Sequence, residues 1–137
     1  MKIYFAGSIR GGREDAELYA QIIRELKNFG EVLTEHIGDE NLLDQSEVNQ
    51  TDDYIFNRDM IWLRQADCVI AEVTTPSLGV GYELGVAESL QKPTLCLFRP
   101  SKDKKLSAMI AGNKYFTVAN YQTLPEATKI IKKFFAK

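Results

Sequence analysis

Short apolar runs alternate along the chain with segments in which apolar residues recur at helical spacing. The apolar runs predict five strands, at residues 2–6, 31–37, 67–73, 93–98 and 115–121. The run at 67–73 is almost continuously apolar, which is typical of a parallel strand that is covered on both faces.

Helical periodicity fills the intervals between these strands. In the clearest case Tyr19, Ile22, Ile23 and Leu26 share one face, and Gly30 marks the end of that helix. Further helices are predicted at residues 54–65, 80–90, 106–112 and around 127–134. Strands interleaved with helices predict an α/β fold, in which one domain spanning residues 1–137 holds a doubly wound, mainly parallel, five-stranded Rossmann- or flavodoxin-like sheet with helices on both faces.

Three irregular segments each follow a predicted strand, at residues 8–15, 74–81 and 99–105. In doubly wound folds ligands bind beyond the carboxyl ends of the strands, so these segments should gather on one rim of the sheet. Residues 38–53 are acidic and polar without clear periodicity and are predicted to form a long loop.

Composition restricts the class of partner. The 137 residues carry 17 Lys and Arg against 19 Asp and Glu, a formal net charge of −2, which disfavours a broad electrostatic surface for nucleic acid. The sequence shows no apolar stretch of membrane-spanning length and no signal peptide, so the cytoplasm is the expected location and no membrane partner is expected. Two cysteines in apolar runs and a single histidine argue against a disulfide framework or a metal site.

The segment at residues 7–13 is a candidate phosphate-binding loop. Its glycines would let the backbone approach an anion, while Ser8 and Arg10 would supply hydrogen-bond donors near a helix N-terminus. It matches neither the dinucleotide-binding nor the Walker pattern. The alternative is an ordinary strand-to-helix turn with solvated arginines, and both interpretations stay open here.

A second candidate segment ends in a carboxylate. Ser77 and Gly79 lie where a helix is predicted to begin, and the Ser77 hydroxyl would either bind an anion or cap that helix. Glu83 shares a helical stripe with Val80 and Leu84, which places a carboxylate among apolar residues. We expect the helix N-terminus to keep Glu83 ionised, as suits a nucleophile. The alternative is an exposed first-turn glutamate.

Asp59 on another predicted helix is a second carboxylate among apolar residues, because it shares a face with Ile55 and Trp62. Two inward carboxylates from different helices are the minimal equipment for cleaving a glycosidic bond. The alternative is that Asp59 pairs with Arg58 or Arg64 on a solvated face.

Five motifs in one order resemble the Rcl-like 2′-deoxynucleoside 5′-monophosphate N-glycosidases of the nucleoside 2-deoxyribosyltransferase superfamily. The motifs are GSIRGGRED, VLTEH, AEVTTPSLGVGYELG, CLFRP and LSAMI. The resemblance runs over about residues 2–110 and is weak at 37–53 and after 111. The chain departs from the family at Ala6, which should have no effect, and in the 38–53 loop, which could change base preference.

The resemblance implies a role for each matching residue. Glu83 would be the nucleophile, Asp59 the assisting acid and Tyr4 the group that positions the nucleophile. The 5′-phosphate would be held by Ser8, Arg10, Ser77 and Gly79, with Ser107 reaching it from the second subunit of a homodimer, and His36 would lie beside the base. From the residues alone, Tyr4 is a core aromatic, His36 a packing residue and Ser107 a helix cap.

The expected enzyme is therefore a hydrolase that cleaves 2′-deoxynucleoside 5′-monophosphates to free base and 2-deoxyribose 5-phosphate through a covalent Glu83 intermediate, without a cofactor. Two alternatives remain. One is a ribonucleotide (CMP-type) N-glycosidase or a deoxyribosyltransferase, and the other is a non-catalytic nucleotide-binding module.

Overall fold

The computed structural model describes residues 1–9, 15–38 and 50–137. Its strands are β1 Lys2–Ala6, β2 Glu31–Val32, β3 Cys68–Glu72, β4 Thr94–Phe98 and β5 Thr117–Asn120. Its α-helices are α1 Ala16–Leu26, α2 Asp52–Gln65, α3 Leu78–Ser89, α4 Ala108–Ala111 and α5 Leu124–Phe135.

All five strands run parallel, in the order β2-β1-β3-β4-β5. The order reverses beside β1, because the chain first adds β2 on one side of β1 and then continues with β3 on the other. This arrangement confirms the predicted α/β class and the parallel sheet. It also creates a switch point at the carboxyl ends of β1 and β3, where ligands of such folds bind.

Side chains alternate between the two faces of each strand and build two cores. On one face, Ile3 and Phe5 pack with the apolar stripes of α1 and α5. On the other face, Tyr4 and Ala6 pack with residues of α2 and α3. Tyr4 therefore points toward the helices that carry Asp59 and Glu83.

The second strand is shorter than the predicted 31–37. It ends at Val32, and a 3-10 helix, Glu35–Gly38, replaces its second half. The cause is Thr34, whose buried hydroxyl donates to the Phe5 carbonyl at 2.6 Å and accepts from the Phe5 N–H at 2.9 Å. These side-chain bonds occupy the backbone groups that a longer strand would have paired.

Two helices begin earlier than predicted. Helix α2 starts at Asp52 because Thr51 caps it, accepting from the Tyr54 N–H, so the end of the predicted 38–53 loop is helical. Helix α3 starts at Leu78 rather than at residue 80, because Ser77 caps it by accepting from the Val80 N–H at 3.2 Å. In both cases the cap satisfies a backbone N–H that would otherwise lack a partner.

Candidate active site

A pocket of about 630 Å³ opens between α2 and α3, above the carboxyl end of β1. Both candidate carboxylates, Asp59 and Glu83, line it. The other lining residues are Gly7, Ile9, Asp52, Ile55, Phe56, Met60, Pro76, Ser77, Leu78, Gly79, Val80 and Tyr82. Two of the three segments predicted to share this rim, those after β1 and β3, contribute to the pocket, whereas residues 99–105 are not among its lining.

Glu83 lies in the second turn of α3 and is partly buried. Its carboxylate accepts a hydrogen bond from the Tyr4 hydroxyl. The pKa of Glu83 is raised to about 7, chiefly by burial and in smaller part by the Asp59 charge, while the Tyr4 hydrogen bond lowers it. The helix N-terminus that was expected to keep Glu83 ionised contributes little, because this helix begins at Leu78 and Glu83 lies beyond the first-turn N–H groups that favour negative charge. Near neutral pH the group is instead balanced between its two protonation states.

Tyr4 is fully buried on β1. Burial raises the pKa of its hydroxyl far above the ordinary value, and the charges of Glu83 and Asp59 raise it further. The hydroxyl is therefore protonated at any physiological pH. It serves as a fixed donor that holds one carboxylate oxygen of Glu83.

Asp59 both lines the pocket and pairs with its neighbour in sequence. The Arg58 guanidinium contacts Asp59 Oδ1 through Nε at 3.0 Å and through its terminal nitrogen at 2.9 Å. The guanidinium lies 4.9 Å from the centre of the Trp62 ring and 5.9 Å from that of Tyr54. The two sequence interpretations of Asp59, a pocket carboxylate and a partner of Arg58, are therefore both present in one geometry.

His36 lies outside the pocket lining, on the 3-10 helix rather than at a strand end. Its Nε2 is 3.3 Å from the terminal nitrogen of Arg58, and its ring centre is 5.6 Å from that of Trp62. In this chain His36 contacts the group that holds Asp59.

Of the candidate phosphate-binding residues, Ser77 and Gly79 line the pocket and Ser8 adjoins the lining residue Gly7. The Ser8 hydroxyl is fully buried and has no hydrogen-bond partner among residues 1–9, 15–38 and 50–137. The adjacent Gly7 lines the pocket, and a Cβ added there would come within 2.9 Å of the Tyr19 ring, so only glycine fits this close approach. Ser77 and Gly79 line the pocket at the start of α3, where Ser77 also has its alternative role as the cap. Arg10 lies outside the described residues.

Ser107 is not part of this pocket. It is exposed and caps the short helix α4, where its Oγ accepts from the Met109 N–H at 3.2 Å. Met109, in the helix that Ser107 caps, is 79% exposed.

An aromatic pair at the pocket was missed in the sequence. Phe56 on α2 and Tyr82 on α3 both line the pocket, and their ring centres are 6.1 Å apart. Both rings are about half exposed. The spacing of Asp52, Phe56 and Asp59 along α2 could have indicated one shared helical face.

Within the described ranges, no group of three or more His, Cys, Asp or Glu side chains is arranged to hold a metal ion. A search of the same residues for a helix long and apolar enough to cross a membrane also found none.

Known proteins share both the sequence and the fold. The sequence profile of the nucleoside 2-deoxyribosyltransferase family matches residues 3–129. A 5-hydroxymethyl-dUMP N-hydrolase of Tetraodon nigroviridis is 53% identical over 140 residues, covering 99% of this chain and 98% of the relative. A putative 2′-deoxynucleoside 5′-phosphate N-hydrolase 1 of Nematostella vectensis is 52% identical over 138 residues, covering 98% of this chain and 93% of the relative.

The solved structure of the CMP N-glycosidase BcmB of Clostridium botulinum superposes with a TM-score of 0.67, over 96% of this chain and 99% of that one. At 16% identity it supports the fold alone. The family profile and the relatives confirm the resemblance carried by the five sequence motifs. The chain therefore belongs to the nucleoside 2-deoxyribosyltransferase family and is an enzyme of that family.

Proposed function

We propose that the protein hydrolyses the N-glycosidic bond of 2′-deoxynucleoside 5′-monophosphates, releasing the free base and 2-deoxyribose 5-phosphate. The observation that carries this proposal is the juxtaposition of Glu83 and Asp59 in one pocket, with Glu83 held by Tyr4. The names of relatives at about half identity, which are N-hydrolases of deoxynucleotides, support the same reaction.

The reaction proceeds in two displacements. An ionised Glu83 oxygen bonds to C1′ of the sugar as the bond from C1′ to the base nitrogen breaks, and the base leaves with the electron pair and takes up a proton. Water then attacks C1′, breaks the bond to Glu83, and loses a proton as 2-deoxyribose 5-phosphate is released. A pKa of about 7 gives Glu83 a substantial ionised fraction at neutral pH, as the first step requires.

Asp59 supports departure of the base from the facing helix. Because Arg58 contacts Asp59 Oδ1 through two nitrogens, the carboxyl group has a fixed direction at the pocket. We assign Asp59 the assisting and orienting role and Tyr4 the positioning of the nucleophile. No cofactor or metal ion takes part in these steps.

The phosphate is the remote group that positions C1′ against Glu83. The unpartnered Ser8 hydroxyl, the start of α3 at Ser77 and Gly79, and the Arg10 side chain form the proposed phosphate site. An anion at a helix N-terminus gains from the backbone N–H groups there.

The first substrate to test is 5-hydroxymethyl-dUMP, the nucleotide in the names of several relatives. Phe56 and Tyr82 provide an apolar wall of the pocket against which a pyrimidine base can pack. We expect His36 to act on the base side through Arg58, which it contacts.

The active form is proposed to be a cytoplasmic homodimer. Ser107 does not line the pocket of its own chain, so a contact with the phosphate requires a second copy. The exposed Met109 and the 97% exposed Leu78 are apolar side chains that such an interface would cover.

The test incubates the protein with a panel of deoxynucleotides, each paired with its ribonucleotide and its nucleoside. Released base is measured by chromatography. We expect 5-hydroxymethyl-dUMP to be cleaved at least tenfold faster than the nucleoside, and Glu83→Gln to lose nearly all turnover. Added methanol should yield a methyl glycoside with the anomeric configuration of the substrate, since two displacements retain it. No base release from any member would favour a binding module, and base exchange without hydrolysis would favour a transferase.

A further inference from the structure

A fully buried carboxyl group that the proposed reaction does not use lies at the end of β3. Glu72 is 0% exposed. Its Oε1 accepts from the Thr74 N–H at 2.8 Å, and its Oε2 accepts from the Thr74 hydroxyl at 2.9 Å and from the Tyr121 hydroxyl. Burial raises the pKa of Glu72, while these hydrogen bonds and the Arg99 charge lower it. A buried acid is unfavourable unless its partners satisfy it, so this arrangement calls for a role.

Glu72 does not reach the pocket. Alternation along β3 places Val69 and Ala71 on the pocket side of the sheet and Cys68 and Ile70 on the opposite side. Glu72 continues the second set, and its partner Tyr121 belongs to the same core as Ile70. The most direct connection from Glu72 to the pocket is the segment that follows β3.

Thr74 connects Glu72 to this segment. Its hydroxyl donates to Glu72 and accepts from the Arg99 N–H at 2.9 Å, which fastens the end of β3 to the end of β4. The Arg99 guanidinium in turn pairs with Asp15 at 2.7 Å and lies 3.7 Å from Glu72.

The next residue, Thr75, contacts a different carboxylate, that of Asp15. The Thr75 hydroxyl lies 3.5 Å from Asp15 Oδ2, at the limit of a hydrogen bond. Thr74 and Thr75 are thus both buried and both attached to carboxylates. The chain then passes directly into Pro76, Ser77 and Gly79, which line the pocket.

We propose that Glu72 is a positioning residue for the phosphate site, and that it acts through Thr74 to fix the segment 74–79. This inference rests on the proposed function, because it assumes that Ser77 and Gly79 hold the 5′-phosphate. Substrate binding then depends on a hydrogen-bond network on the face of the sheet opposite to the pocket.

The test uses binding in a Glu83→Gln protein, in which turnover is blocked. Affinities for 5-hydroxymethyl-dUMP and for its nucleoside, 5-hydroxymethyl-2′-deoxyuridine, are measured by calorimetry with and without Thr74→Val. Valine keeps the shape of threonine and removes the hydroxyl that joins Glu72 to Arg99. The matched control is Thr94→Val, because Thr94 is equally buried at the opposite end of the sheet and its hydroxyl donates to the Lys92 carbonyl at 2.8 Å.

We expect Thr74→Val to weaken binding of the monophosphate at least tenfold and of the nucleoside less than threefold, while Thr94→Val changes neither. Tyr121→Phe removes only the hydroxyl that donates to Glu72 and should weaken the monophosphate alone, by about threefold, which provides the test if Thr74→Val does not fold. Equal weakening of both ligands, or none, would overturn the positioning role. A Glu83→Gln parent that binds both ligands equally would instead overturn the phosphate site, and the positioning role with it.

Discussion

The Tyr4 hydroxyl donates a hydrogen bond to the Glu83 carboxylate and so joins β1 to α3 across 79 positions of the chain. The donor is fully buried, whereas the acceptor lines the pocket. This bond opposes the effect of burial on Glu83, since it lowers a pKa that burial raises. Tyr4 thereby helps to set the pH at which Glu83, the proposed nucleophile, loses its proton.

Tyr4→Phe should move the acidic limb of the pH profile. In the wild-type protein kcat/KM for 5-hydroxymethyl-dUMP should rise with pH through about 7, as Glu83 loses its proton. Without the Tyr4 hydrogen bond the pKa of Glu83 rises further, so this limb should shift to higher pH and kcat/KM at pH 7 should fall by about tenfold or more. Tyr115→Phe, which removes the exposed hydroxyl that donates to Lys92, should leave the profile in place.

Glu83→Gln should stabilise the fold at high pH while abolishing turnover. The pKa of Glu83 is about 7 in the folded protein against an ordinary 4.5, so between these values the unfolded chain gives up the proton first and the free energy of unfolding falls as pH rises. Above pH 7 the loss is complete. Glutamine does not titrate and so avoids this loss. The free energy of unfolding of the variant should therefore exceed that of wild type by about 1–3 kcal/mol at pH 8 and equal it at pH 4.

Urea unfolding at the two pH values measures this difference. The control is Glu31→Gln on the exposed start of β2, which should change the free energy of unfolding by less than about 0.5 kcal/mol at either pH. A Glu83→Gln advantage at pH 4 that equals the one at pH 8 would contradict a raised pKa.

Ser77→Ala separates helix capping from phosphate binding. Ser77 caps α3 and lines the pocket, whereas Thr123 caps α5 by accepting from the Glu126 N–H and does not line it. Loss of either cap should lower the free energy of unfolding by about 1 kcal/mol. Only Ser77→Ala should raise KM for the monophosphate, by about fivefold or more. Equal KM values for Ser77→Ala and Thr123→Ala would leave Ser77 a cap alone.

Arg58→Gln tests whether the orientation of Asp59 matters to the reaction. The substitution removes the guanidinium contact with Asp59 Oδ1, so kcat should fall by about tenfold while KM changes less, since the pair is partly buried and charge-assisted. Arg64→Gln, in the exposed last turn of the same helix, is the control and should preserve kcat. Steady-state kinetics on the two variants decides the matter, and a matching loss in both would point to a general effect on α2.

Mixing two impaired variants tests the homodimer. Ser107→Ala and Glu83→Ala should complement each other, because a mixed dimer contains one site with the Glu83 of one subunit and the Ser107 of the other. Random exchange should restore about a quarter of wild-type activity. Sedimentation of the active protein as a monomer at assay concentration, or a mixture no more active than its components, would count against the shared site.

The strands were predictable because buried parallel strands appear as apolar runs, and the α/β class follows from their alternation with helices. The end of β2 could not be predicted in this way, because the two hydrogen bonds between Thr34 and Phe5 connect segments 29 positions apart. Such a contact leaves no trace in local periodicity.

The candidate site shows the same division. Asp59 and Glu83 were recognisable as carboxylates on apolar helical stripes. Adjacent residues of a helix ordinarily point apart, so the Arg58–Asp59 contact depends on a long side chain folding back between two aromatic rings. The pairing of Phe56 with Tyr82 depends on how two helices are placed relative to each other, which no single-helix pattern contains.

Because β1 lies between β2 and β3 in the sheet, its pairing with β3 must wait during translation until β3 has been synthesised. Ala6 pairs with Ala71, so one edge of β1 stays open until some 65 further residues have emerged from the ribosome. At about 5–20 residues per second this takes several seconds. Throughout that interval an apolar strand presents unpaired backbone groups, to which another chain could pair.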